Sequence, residues 1–123
     1  MFAVVLLVGC LAPVEAGEAM RPVSERFAAP DVREVPDFQK HVIPLLGRLG
    51  CNSAKCHGSF QGQGGFRLSL FGFDFASDHA ALTAEATSED GARVKTTSAA
   101  DSLVLRKPTL KTDHEGGKRL DAG

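Results

Sequence analysis

Cys51-Asn-Ser-Ala-Lys-Cys56-His57-Gly58 sets two thiols and an imidazole side by side. Two thiols followed at once by a histidine is the arrangement that holds a haem covalently. Each thiol can add across a vinyl group of the porphyrin, and the histidine beside the second thioether lies under the iron. The usual attachment signature has two residues between the cysteines, whereas this chain has four. On a helix the shorter gap puts both sulfurs one turn apart; the longer one needs a bulge or loop. Asn52 to Lys55 are therefore expected to loop out, and Asn52 and Ser53 tolerate irregular backbone. Two other chemistries use the same residues. Cys51 and Cys56 could form a disulfide with His57 incidental, or the three could bind zinc with His114 as a fourth ligand.

The elements that must position this segment can be read on either side of it. Helical pattern begins at Pro36-Asp37, where Pro suits a first turn and Asp the positive end of the dipole. Phe38, Val42, Leu45, Leu46 and Leu49 then recur at three- and four-residue intervals, one face of a helix. Pro44 must kink that helix or start a second one, and Gly50 is its expected stop. After the motif, Gly58 to Gly65 carries four glycines and reads as loop. Phe66-Arg-Leu-Ser-Leu70 alternates like a short strand, an alternation that Phe71, Phe73 and Phe75 continue. Ser77 or Asp78 is the expected cap of a short helix through Leu82-Thr83. Asp101 to Lys107 reads as a helix of about two turns stopped by Pro108.

Composition narrows the function classes. Fourteen basic against fifteen acidic residues give a formal charge of -1, so nothing points to a nucleic-acid partner. Tyr and Trp are absent, and six of the eight Phe lie between Phe38 and Phe75, around the Cys-His segment. Phe lines an apolar pocket without a polar group that needs a partner, so the Phe66–Phe75 group is expected in the core. No Ser/His/Asp arrangement, phosphate loop or paired-carboxylate signature is present, and no enzymatic activity is expected. Residues 1–16 read as an export signal, an apolar run too short to span a bilayer followed by Val14-Glu-Ala16. Leu7-Val-Gly-Cys10 also resembles a lipoprotein signal, which would place a lipid anchor on Cys10. Residues 17–35 mix Pro, Ala and charge and read as a linker, leaving residues 36–123 as one domain.

Taken in order, Phe38-x3-Val42-x-Pro44-x-Leu46, Cys51-x4-Cys56-His57-Gly58, Gly64-Gly65-Phe66-x-Leu68-x-Leu70, Ser102-Leu-Val-Leu-Arg106 and His114-x-Gly116-Gly117-x-Arg119-Leu120 resemble planctomycete-type cytochrome c domains. Such domains sit near the N-terminus of large exported proteins. The resemblance covers about residues 36–123 and implies an all-α, cytochrome c-like fold with one covalent haem c. It implies thioethers at Cys51 and Cys56, His57 as proximal ligand, and single-electron transfer to a redox partner protein in the periplasm or at the cell surface. In related domains a methionine ligand falls where this chain has His114. The only methionines here, Met1 and Met20, lie upstream, so His114 is the expected distal ligand. Arg67 and Arg119 are candidates to pair haem propionates, while His41 and His79 are expected in solvent. The chain stops where such domains continue into a closing helix, so the domain is expected to be cut short at its C-terminus. The competing reading is a Cys51–Cys56 disulfide-stapled interaction module of a cell-surface protein, without electron traffic.

Overall fold

The computed structural model describes residues 21–84 and 91–121; the expected export signal and Cys10 lie outside the described residues. Two units are distinguished, Met1–Val32 and Arg33–Gly123. In the first, one exposed turn, α1 (Val23–Arg26), interrupts the stretch read as a linker. The Pro22 carbonyl accepts from the Glu25 and Arg26 amides. Glu25 early and Arg26 late in the turn suit its dipole. No helix among the described residues is long and apolar enough to cross a membrane.

The second unit is all-α among its described residues. A π-helical turn (Phe38–Val42) runs into α2 (Ile43–Arg48); α3 (Phe75–Thr83) and α4 (Leu103–Arg106) follow, with 3₁₀ turns at Leu70–Gly72 and Ala99–Asp101. Asp37 caps the first turn by accepting from the Lys40 amide at 2.8 Å. Pro36 stays outside the helix. Pro44 sits in the first turn of α2, where its missing N–H costs no helical bond. The π turn has a consequence for the buried face. One extra residue in a turn rotates everything downstream by about 100°. The core therefore takes Ile43 and Leu46, while Leu45, expected on the apolar stripe, is 49 % exposed. Leu68 joins this cluster, and Phe38, Val42, Cys51, Phe66 and Phe75 pack against it; Leu82 and Leu103 are buried as well.

The expected strand does not form. Gln63 and Phe66 make an isolated bridge, residues 67–69 run on without regular structure, and the chain turns at Leu70–Gly72 with Phe71 in left-handed backbone, φ 56°. That turn breaks the alternation and throws Phe71 and Phe73 outward, each 75 % exposed, so these two are not core. Gly72 instead fits against Ile43, where a Cβ would come within 2.6 Å of Cγ2.

Helix α3 begins earlier than expected, with Asp74 as its cap through the Ser77 amide at 3.0 Å. Asp78 is thereby freed for a buried role. Its carboxylate accepts from both the Ser69 amide and the Ser69 hydroxyl, the latter at 2.8 Å, pinning the 66–69 segment to α3. Asp78→Ala should orphan the buried Ser69 amide and lower stability by about 1–3 kcal/mol. A urea unfolding curve with an unshifted midpoint would show that this contact carries no such weight.

Beyond residue 91, the Ala92 and Arg93 carbonyls accept from the Leu103 and Val104 amides, and the buried Ser102 hydroxyl accepts from the Lys95 amide at 2.8 Å. The expected two-turn helix is split into the 3₁₀ turn and α4, because Ser102 adopts extended backbone between them.

Candidate functional site

Helix α2 delivers the chain into the Cys-His segment through a glycine in left-handed backbone. Gly50 (φ 77°) ends the helix, with the Gly50 amide donating to the Gly47 carbonyl and the Cys51 amide to the Leu46 carbonyl. This paired bond pattern needs the left-handed residue that glycine supplies without strain. Cys51 is thus carried back onto Leu46 and the core.

From Cys51 to Gly58 the backbone forms a knot of turns. The Ser53, Cys56, His57 and Gly58 amides donate to the Gly50, Ser53, Cys51 and Ser53 carbonyls. Ala54 and Lys55 face solvent as a looped segment should, but Asn52 does not: it is 2 % exposed. Its carbonyl accepts from the Phe71 amide, which ties the motif to the turn beyond it. Among the described residues, Asn52 Nδ2 and Thr112 Oγ1 are buried without a hydrogen-bond partner, at a cost of about 1–3 kcal/mol each. A Cβ on Gly58 would collide with the Asn52 carbonyl, so only glycine lets the turn close this tightly.

Cys51 and Cys56 are both half-buried free thiols, so the disulfide weighed from the sequence is not formed here. Burial pushes the Cys51 thiol up, reinforced by Cys56 nearby and opposed by the Arg119 guanidinium. For His57 burial acts the other way, pushing its pKa down, opposed by the hydrogen bond to Phe66. The His57 ring donates from Nδ1 to the Phe66 carbonyl at 3.0 Å and lies 4.7 Å from the Phe66 ring, centre to centre.

His114 comes from the far end of the chain. The Pro108 carbonyl accepts from both the Arg119 and Leu120 amides, closing a loop whose tip is a turn from His114 to Gly117. Within it, the His114 ring donates from Nδ1 to the Gly117 carbonyl at 2.8 Å. The structure brings this ring to His57, with centroids 6.5 Å apart and planes 11° from parallel. In both rings a carbonyl holds the Nδ1 proton, which leaves Nε2 as the lone-pair nitrogen.

Two imidazoles holding one metal ion through Nε2 need about 2 Å per metal–nitrogen bond. With roughly 1 Å more from each nitrogen to its ring centre, the span is about 6 Å. The observed centroid separation, 6.5 Å, is of that size, and the rings stack with near-parallel planes. No group of three or more His, Cys, Asp or Glu converges on a bare metal ion among the described residues, so the zinc arrangement considered from the sequence is not assembled.

The remaining sequence candidates fall outside this pair. The Asp37 amide donates to His41 Nδ1 at 2.8 Å, so this half-buried ring serves a helix start instead of standing in solvent. His79 is exposed and meets Phe38 edge-on. Arg67 lies over the exposed Phe60 ring. Arg119 donates from Nε to the Gly116 carbonyl at 2.9 Å, which braces the His114 loop.

The sequence reading missed Arg93, whose guanidinium covers the Phe66 ring at 5.0 Å and donates to the Ala81 and Gly65 carbonyls. Its stretch has no periodicity that could have marked it. A surface cleft lined by Phe66, Arg67, Phe73, Asp74 and Arg93 includes neither cysteine nor either site histidine; Phe66 alone belongs to both places.

No protein family, curated protein or solved structure matches this chain in the comparisons made.

Proposed function

We propose that residues 36–123 form a cytochrome c-like domain that holds one covalent haem c and passes single electrons to a redox partner protein outside the cytoplasm. The observation that carries this reading is the near-parallel His57–His114 pair at 6.5 Å, each ring anchored through Nδ1 to a backbone carbonyl. The haem, when bound, would supply a reversible one-electron iron couple.

The chain's own residues do the rest. Cys51 and Cys56 would provide the two thioethers, His57 the proximal ligand and His114 the distal one. The carbonyls of Phe66 and Gly117 fix ring orientation and raise ligand basicity, as acceptors behind metal-bound histidines do. Phe66 packs beside His57, and Arg93 covers the Phe66 ring in turn. No acid–base or nucleophilic step is required.

The test is production in an exporting cell with haem-attachment machinery, followed by intact mass and visible spectrum. The expected result is one haem added per chain and a low-spin spectrum. A chain weighing only its amino acids would sink the reading.

A second reading, an interaction module without electron traffic, draws support from the exposed Phe60, Phe71 and Phe73. Its disulfide form is not the state of Cys51 and Cys56 in this structure. The same mass measurement separates the two.

A further inference from the structure

The turn that carries His114 contains two glycines with different reasons for being glycine. Gly117 has a left-handed φ of 70° and nothing within 4 Å of where a Cβ would stand. Gly116 is the reverse. Its φ is not in the left-handed region, so its φ does not itself call for glycine, yet a Cβ there would lie 2.9 Å from His114 Cε1 and 3.0 Å from Nε2. The three atoms nearest that Cβ all belong to the one imidazole.

We propose that Gly116 is the positioning residue that selects the sixth iron ligand: its missing side chain keeps open the space beside His114 Nε2. Any side chain at 116 would convert a closed bis-imidazole site into an open one that takes small ligands. This inference rests on the haem reading above.

The clash must be relieved somewhere, and the geometry decides where. The backbone at 116 is held by the Arg119 Nε bond to its carbonyl and by the turn bond from the Gly117 amide to the His114 carbonyl. The imidazole is held only by its Nδ1 bond to the Gly117 carbonyl among the bonds described. Rotation of the ring is the cheaper movement, and it distorts that bond. The ring then leaves its place beside His57. The substitution thus removes a ligand without removing the ligand residue.

Gly116→Ala tests this with two readouts. In the haem-loaded protein the low-spin spectrum should be lost, carbon monoxide should bind readily, and added imidazole should restore the low-spin form. In the apoprotein, nitrogen-detected resonance of the His114 ring should show the Nδ1–H tautomer in the parent chain and a mixture of tautomers in the variant. Gly47→Ala, in ordinary helical backbone of α2 and with its Cβ at ordinary contact distance, 3.8 Å, from the Asn52 side chain, should change neither readout. Unchanged spectra and an unchanged tautomer in Gly116→Ala would overturn the proposal. If no haem attaches even to the parent chain, the functional reading fails. The apoprotein tautomer then still decides whether Gly116 positions the ring.

Discussion

The double variant Cys51→Ser, Cys56→Ser is expected to lose all covalently held haem, with each single variant keeping one thioether. Serine matches cysteine closely in size, and neither cysteine is in a disulfide that serine would break. The effect should therefore be chemical, with the turn itself preserved. Burial holds Cys51 as a protonated thiol at neutral pH. That is the form whose sulfur and hydrogen add across a vinyl double bond, closing one S–C bond and one C–H bond. Haem staining after denaturing electrophoresis reads the outcome directly. Colour remaining on the double variant would mean attachment through another residue.

His114→Ala should turn a six-coordinate, low-spin haem into a five-coordinate, high-spin one that binds carbon monoxide. Methionine ligation raises a haem potential, so the parent's second imidazole should leave it low, and the variant's potential should move. His41→Ala and His79→Ala should leave the spectrum alone, since one ring serves the Asp37 amide and the other meets Phe38.

Acid should also abolish the low-spin spectrum, because the His57 imidazole must be neutral to bind. The sign follows from burial, which pushes His57 below its ordinary value of 6.5. A depressed folded-state pKa favours the neutral ring. Its stabilising contribution is complete above that ordinary value and is lost as pH falls through the folded-state pKa. A low-spin spectrum that survives in His114→Ala would move the sixth ligand elsewhere.

Local chemistry near the site was legible in the sequence, and geometry at a distance was not. Asp37 and Gly50 announced the start and end of the first helical stretch, since a cap and a left-handed stop are encoded by single residue types. The face that stretch buries was legible in part: Phe38, Val42 and Leu46 meet the core as expected, while Ile43 is buried and Leu45 is not. One wide turn at Phe38–Val42 shifts the register, and no residue type signals it. The Phe66–Phe75 alternation suggested a strand, but alternation describes spacing and not the turn at Phe71 that interrupts it. Asp78 read as a helix cap because nothing local says that Ser69 will need an acceptor. Pairing of His114 with His57 rested on resemblance alone, because no local signal links residues so far apart.

The bonds that end α2 and coil the Cys51–Gly58 segment join residues close in sequence, within Leu46–Gly58. Closing such short loops costs little chain entropy. A chain that emerges amino end first can therefore set this turn while its remainder is still being made. The thiol-bearing half would be ready to receive a broad planar group from an open side. The loop with His114, made later, can close on His57 only afterwards.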